Sequence, residues 1–170
     1  DMKDDLEAIG ARGVDHLADH FGQADAPIIF SGACVALIRA LAEKLPHLRR
    51  GIDPTDRLQE VLRHQTVAAA AALLTAELRS ATEPDTCYLS WELVLTTQAL
   101  GLDLVALCHA EGVKVDAWTY NLADPAGFSD AEWSEFSALM AIGPDQITTD
   151  EAMATEAAWT ARQLAETDHV

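Results

Sequence analysis

Short apolar runs alternate with longer amphipathic stretches along the whole chain. Apolar or β-branched runs typical of strands occupy residues 26–31, 47–52, 86–91, 113–119 and 144–149, and residues 1–3 are expected to end another strand. In the amphipathic stretches, apolar residues recur every three or four positions, as on the buried face of a helix. Six strands alternating with six helices predict a parallel sheet joined by helical crossovers.

The helical stripes lie at residues 6–21, 35–45, 55–80, 102–109, 136–142 and 153–164. The third stripe is long enough for one helix or for a pair of helices. Two stripes run into a glycine, Gly112 and Gly143, immediately before a predicted strand. Glycine is common just after the last helical turn, so these two positions are interpreted as helix ends.

Two architectures fit this alternation, a doubly wound sheet and a β/α barrel. No G-x-G-x-x-G or P-loop glycine pattern follows any predicted strand, which argues against a nucleotide-binding sheet. Polar or amphipathic residues do stand at the predicted carboxyl ends of strands: Lys3, Ser31, Ser90, Trp118, Thr149 and Asp150. Both architectures bind ligands at that edge, and the pattern favours the barrel.

Composition narrows the possible functions. The 170 residues suit one domain, residues 1–170, and 11 basic against 28 acidic side chains give a net charge of −17. Such a charge repels phosphate backbones, so nucleic-acid binding is not expected. The longest apolar run, residues 67–74, is far shorter than the roughly 20 residues of a membrane span. The three scattered cysteines suggest unpaired thiols and a reducing compartment such as the cytoplasm.

The carboxyl-terminal third carries the most specific motifs. The segments "LCHAEGVKVDAWTYN" and "FSALMAIGPDQITTDEA" contain Trp118-Thr119-Tyr120-Asn121, then Gly143-Pro144-Asp145, then Thr149-Asp150. In this order and spacing they resemble the last two β/α units of the glycerophosphodiester phosphodiesterase family. Upstream, "IIFSGACVALIRALAEKLPHLRRG" is similar to the family's strand that ends in serine, although Gly32-Ala33 stand where the family usually has Phe-Asp.

The resemblance implies an incomplete TIM (β/α)8 barrel with about six β/α units, from the third strand to the eighth. A full barrel has about 250 residues, so we expect the N-terminal β/α units that would close it to be missing from this chain. Open sheet edges and an apolar barrel interior would then face water. We accordingly expect aggregation, edge-to-edge dimerisation or a requirement for the missing units.

The resemblance also implies a reaction and its site. The family hydrolyses small-molecule glycerophosphodiesters to an alcohol and glycerol 3-phosphate with a divalent ion, Mg²⁺ or Ca²⁺. Asp1 and Lys3 are two residues apart and would share one side of a strand. By resemblance, Asp1 takes the position of a metal ligand, where the family more often has Glu, and Lys3 that of the catalytic, phosphate-contacting lysine.

Three further residues are predicted to bind substrate. By resemblance, Trp118 forms a wall against the glycerol or alcohol group. Ser31 and Ser90 are candidates for hydrogen bonds to the phosphate. Thr119, Asn121 and Asp150 are more simply interpreted as residues that cap turns and helices.

The catalytic histidine pair of the family is not found in this sequence. That pair belongs to a His-Arg-Gly turn after the first strand and to the segment after a Glu-x-Asp motif, and neither motif occurs here. We therefore expect this polypeptide alone not to turn over substrate. Two other hypotheses remain open: a non-catalytic phosphodiesterase-like binding or regulatory module, and an unrelated phosphate-handling β/α barrel.

Overall fold

A computed structural model describes residue 2 and residues 5–22, 27–80 and 83–167. Its elements, in chain order, are α1 (Leu6–Phe21), β1 (Ile29–Gly32), α2 (Val35–Lys44), β2 (Arg49–Ile52), α3 (Thr55–His64), α4 (Val67–Leu78), β3 (Thr86–Ser90), α5 (Trp91–Ala99), α6 (Leu104–Ala110), β4 (Lys114–Trp118), α7 (Asp130–Ile142), β5 (Gln146–Ile147) and α8 (Ala152–Thr167).

The strands form one parallel sheet whose neighbours follow the order of the chain, β1-β2-β3-β4-β5. Met2 adds a parallel bridge to Gly32 on the outer side of β1, and its N–H donates to the Ser31 carbonyl at 2.6 Å. The expectation of a strand end at residues 1–3 is therefore supported at Met2. Asp1 and Lys3 lie outside the described residues.

The structure decides one open alternative in the helical pattern and differs from the prediction in one other place. The long stripe at residues 55–80 is a pair, because Thr66 caps a new helix by accepting the Ala69 N–H at 3.1 Å. Between β3 and β4 there are two helices, α5 and α6, where one was predicted. Apolar residues at three consecutive positions, Leu93 to Leu95, point to several sides of α5 and are buried or half-buried. A helix of this kind has no clear stripe.

The helices pack against one face of the sheet. That face carries the buried core residues of the strands: Phe30, Ile52, Cys87, Leu89, Val115 and Ala117. The opposite face, which we call the polar face, carries Ser31, Gly51, Thr86, Tyr88, Ser90, Asp116 and Trp118 at the alternate strand positions, with Thr148 just after β5. The described strands therefore have one apolar face, against the helices, and one face of mixed polar and aromatic residues.

Two Pro-Asp pairs fix the amino ends of the strands. Asp85 stands before β3 and its Oδ2 accepts the N–H of Arg50 in β2 at 2.8 Å. Asp145 stands before β5 and its Oδ2 accepts the N–H of Val115 in β4 at 2.8 Å. The Val115 N–H is the main cause that lowers the pKa of Asp145, and a hydrogen bond with His109 acts in the same direction. Each aspartate thereby anchors the register of its own strand against the preceding one.

Among the described residues, no single helix is both long and apolar enough to cross a membrane, and α5 with α6 meets that criterion only as a sharply bent pair.

Gly51 makes room for an aromatic ring on the polar face. A Cβ at position 51 would lie 2.4 Å from Cε2 of Tyr88 and 3.1 Å from Cβ of Ser31. The Tyr88 ring therefore lies across β2 in the space that a side chain would occupy. Only glycine permits this arrangement without displacement of the ring.

We predict that Gly51→Ala lowers the free energy of unfolding by about 1–3 kcal/mol, because the new methyl group overlaps the Tyr88 ring. Urea denaturation of wild type and variant measures the difference. Alanine is otherwise preferred to glycine within a strand, so a loss of stability is diagnostic of the overlap.

Gly127→Ala is the matched control, since a Cβ there meets no atom within 4 Å; we expect a change within about 0.5 kcal/mol. In a Tyr88→Ala background, Gly51→Ala should cost less than in the wild type. Equal stability of Gly51→Ala and wild type would contradict the packing described for this face.

Candidate functional site

Three of the five predicted site residues lie on the polar face. Ser90 ends β3 and Trp118 ends β4, and the two are direct partners in the parallel register. Ser31 pairs with Gly51, which pairs in turn with Thr86, four residues before Ser90. The structure therefore brings Ser90 and Trp118 together at the carboxyl ends, while Ser31 is placed further back along the sheet. Lys3 and Asp1 are outside the described residues.

Ser90 makes two hydrogen bonds that stabilise the local structure. Its Oγ accepts the Leu93 N–H at 3.2 Å and so caps α5, and its own N–H donates to Oγ1 of Thr55 at 3.1 Å. The residue is buried. A serine that accepts one bond keeps its hydroxyl hydrogen for another partner. Its predicted contact with a phosphate remains a prediction.

Trp118 offers an unused hydrogen-bond donor. The side chain is half-buried at the end of β4, yet its Nε1 atom is buried and has no hydrogen-bond partner among the described residues. Buried donors almost always have an acceptor, because an unpaired N–H that has lost its water is unfavourable. The indole can therefore serve a ligand both as an apolar wall and as a donor.

The two motifs at the carboxyl ends of β4 and β5 are joined by hydrogen bonds. Asn121 Nδ2 donates to Oδ2 of Asp150 at 2.7 Å, and Asn121 Oδ1 accepts the Asp150 N–H at 2.9 Å and the Thr149 hydroxyl at 3.2 Å. These residues lie 28 or 29 positions apart in the chain. The network holds the segments that follow β4 and β5 together.

The sequence interpretation missed Asp116. This carboxylate lies in the middle of β4 on the polar face and is 1% exposed. Its hydrogen-bond donor is the hydroxyl of Thr148, 2.9 Å from both oxygens. Burial raises the pKa of Asp116, and the bonds from Thr148 act against that effect. The available signal was an acidic residue between apolar residues in the predicted strand "VKVDAW".

Tyr88 is the register partner of Asp116 on the neighbouring strand. Burial is the main cause that raises the pKa of Tyr88; the charge of Asp116 raises it further, and that of Arg49 lowers it. The phenol thus lies within the electrostatic field of the buried carboxylate. Tyr88, Asp116 and Trp118 together place two aromatic rings and one acid on the same face.

Metal ligands and histidines are not gathered at this face. The part of the chain that the structure describes has no group of three or more His, Cys, Asp or Glu side chains able to hold a metal ion. Five histidines, at positions 16, 20, 47, 64 and 109, are described, and all are exposed on helices or turns. Neither a metal centre nor an acid-base histidine can be assigned from the described residues.

Comparison with family models and with curated protein sequences finds no match for this chain. The glycerophosphodiester phosphodiesterase resemblance therefore rests on the motifs given above.

We predict that Asn121→Ala lowers the free energy of unfolding by about 1 kcal/mol, because it removes three exposed hydrogen bonds between the ends of β4 and β5. Thermal or urea unfolding provides the measurement. Gln98→Ala, which truncates an exposed amide on α5, is the control and should change stability by less than about 0.5 kcal/mol. Identical losses in the two variants would show that the network does not fix the strand ends.

We predict that Asp116→Asn raises stability at neutral pH. A folded-state pKa above the unfolded value means that stability is lost as pH rises through that range, because ionisation of the buried carboxyl is unfavourable. The asparagine Oδ1 can still accept the Thr148 hydroxyl. The gain should shrink as pH falls towards the ordinary aspartate value of 3.8.

Unfolding curves at pH values from near the ordinary aspartate pKa up to neutrality measure this gain. Glu43→Gln removes an exposed acid on α2 and serves as the control, with no comparable gain. A less stable Asp116→Asn protein at neutral pH would mean that the charge has a stabilising partner.

Proposed function

We propose that the parallel sheet is part of a TIM (β/α)8 barrel of the glycerophosphodiester phosphodiesterase type, with the polar face as the barrel interior. Strands in chain order with their helices on one face support this proposal. A doubly wound sheet has a reversal in strand order and helices on both faces, and neither feature occurs among the described elements. The proposal also includes further β/α units that would close the barrel.

The ligand site of this barrel lies at the carboxyl ends of β3 and β4. The observation that carries the assignment is the register pairing of Ser90 with Trp118, beside the bonded Asn121 and Asp150. Phosphodiesterase sites in barrels form where strand ends converge. Here the indole supplies an apolar surface and an N–H donor that has no acceptor among the described residues, and both suit an ester whose oxygens accept hydrogen bonds.

Hydrolysis of a phosphodiester needs catalytic groups in addition to an apolar binding surface. It needs a proton acceptor for the attacking hydroxyl, a proton donor for the leaving alcohol, and positive charge near the phosphate oxygens. In the proposal Lys3 supplies the positive charge and Asp1 is one ligand of a Mg²⁺ or Ca²⁺ ion. The described residues do not form a metal site by themselves, so we derive no catalytic step through the ion.

A non-catalytic binding module is the second candidate, and two observations favour it. The five described histidines are exposed on helices or turns, and none of them is assigned here as a proton donor or acceptor. Gly32, which stands where the family has Phe, is required because a Cβ there would lie 2.6 Å from the Met2 carbonyl oxygen. Both candidates use the same ligand, a glycerophosphodiester, at the same strand ends.

We predict that the chain binds a glycerophosphodiester at Trp118 without turnover. The four tryptophans, at positions 91, 118, 133 and 159, give four indole N–H signals in an ¹H–¹⁵N spectrum. Addition of glycerophosphocholine should shift the Trp118 signal, because its donor gains an acceptor, and leave the other three nearly unchanged. Trp118→Phe assigns the signal.

An enzymatic assay completes this test. With glycerophosphocholine and Mg²⁺ or Ca²⁺, the chain should release no glycerol 3-phosphate above the buffer control. Robust release that is lost in a Lys3→Ala variant would establish an enzyme and exclude the binding module. The absence of any Trp118 shift would refute the proposed ligand site.

A further inference from the structure

One guanidinium joins three segments at the carboxyl edge of the sheet. Arg57 lies in the first turn of α3, and its Nε and Nη2 donate to the two carboxylate oxygens of Glu77 on α4 at 2.7 and 2.8 Å. Its Nη2 also donates to the Asp53 carbonyl at 3.4 Å, and its Nη1 donates to the Ala33 carbonyl. Ala33 follows β1 and Asp53 follows β2, so Arg57 ties the loops after two neighbouring strands to α4.

The loop after β2 connects this guanidinium to the candidate ligand site. The Oδ1 atom of Asp53 accepts the Thr55 N–H at 3.0 Å, which closes a tight turn at the start of α3. The hydroxyl oxygen of Thr55 accepts the N–H of Ser90 at 3.1 Å, and both residues are buried. Ser90 is the register partner of Trp118. Hydrogen bonds therefore lead from the guanidinium to the strand end at which the ligand site is proposed.

Thr55 takes the place of a backbone acceptor beside β3. The last register pair between β2 and β3 is Ile52 with Cys87, whereas β3 continues to Ser90. Continued past the end of β2, the same register brings Thr55 level with Ser90, and its Oγ1 accepts the bond there. A side-chain acceptor holds a strand end only while the turn that carries it stays in place. The position of Ser90 therefore depends on the turn that the guanidinium binds.

The partners of Arg57 require an arginine. Its planar fork reaches both carboxylate oxygens of Glu77 and two backbone carbonyls at once, whereas a lysine ammonium is a single point of charge. The Glu77 side chain is 12% exposed, so its carboxylate depends on a cation for its stabilisation. The ion pair thus holds the guanidinium in one orientation, with its remaining N–H groups directed at the two loops.

We propose that Arg57 is a positioning residue of the candidate ligand site, which acts through the turn from Asp53 to Thr55 and holds Ser90 beside Trp118. The inference rests on the proposed function, because it concerns the same strand ends. It adds a residue of α3 that the sequence motifs do not identify. Arg57 does not touch the ligand in this proposal, and it affects affinity through the geometry of Ser90.

A second ion pair of the same kind provides a matched control at the opposite edge of the sheet. Arg79, just after α4, donates from Nε and Nη2 to the two carboxylate oxygens of Glu111 at 2.8 and 2.6 Å. Glu111 follows α6 and precedes β4, so this pair lies at the amino ends of the strands. Arg79→Lys therefore makes the same chemical change as Arg57→Lys, away from the loops of the candidate site.

The test measures the dissociation constant of glycerophosphocholine, followed at the Trp118 indole signal. Arg57→Lys keeps a positive charge beside Glu77 and loses the fork, so we expect binding to weaken at least about fivefold. Thr55→Val removes the hydroxyl and keeps the branched shape, and it should weaken binding by a similar factor. Thr55→Ser retains the hydroxyl and should restore the wild-type affinity. Arg79→Lys should leave the affinity unchanged.

Thiol labelling separates a change in the loops from a general loss of stability. Cys34, in the loop after β1, is half-buried, whereas Cys87 and Cys108 are fully buried. Iodoacetamide should therefore alkylate Cys34 in the folded protein and the other two thiols only after unfolding. Arg57→Lys should raise the alkylation rate of Cys34 while Cys87 and Cys108 stay protected. Arg79→Lys should leave the rate at Cys34 unchanged.

The outcomes distinguish this inference from the proposed function. If glycerophosphocholine does not bind to the wild type, the proposed function fails and the inference fails with it. If the wild type binds and Arg57→Lys binds equally tightly, the ligand site stands and the positioning role is refuted. Equal weakening by Arg79→Lys, or an unchanged alkylation rate of Cys34 in Arg57→Lys, would also refute that role. If Thr55→Ser binds as weakly as Thr55→Val, the hydroxyl does not carry the effect and the proposed route fails.

Discussion

The right-handed crossover between parallel strands is the constraint on which the rest of this structure depends. Because the strands follow one another in chain order, each crossover places its helices on the same face of the sheet. The apolar strand residues, such as Leu89 and Val115, must point to that face to form the core. The alternate positions along the strands do not take part in this core. They carry the polar and aromatic residues of the candidate site.

The register between neighbouring strands then determines which of those residues lie side by side. The ladder between β3 and β4 has five consecutive partners, and it ends with Ser90 beside Trp118. Asp145 anchors the amino end of β4 through the Val115 N–H, and Asn121 with Asp150 holds the carboxyl end. A slip of one residue would turn every site side chain towards the helices. The strand ends are thus fixed from both sides, as a ligand site at a strand edge requires.

Some features of the polar face oppose stability. Among the described residues, Asp116 is a buried acid bonded only by Thr148 and Trp118 has a buried indole N–H without an acceptor, and both are unfavourable in isolation. They occur two residues apart on one strand, Asp116 and Trp118, on the face without helices. Departures from complete hydrogen bonding are expected where a protein binds a ligand. The burial of Asp116 therefore accounts for the predicted gain of stability in Asp116→Asn.

The sequence by itself determined the α/β class, the positions of the five strands and most helices, and the residues at the strand ends, because these follow from local periodicity and from glycine and proline positions. It did not reveal α5, whose apolar residues face several sides. Tertiary structure alone decided that Asp116 is buried beside Thr148, 32 residues away, and that Ser31 lies apart from Ser90. Burial and register depend on which distant segments pack together, and no local pattern of residues encodes that choice.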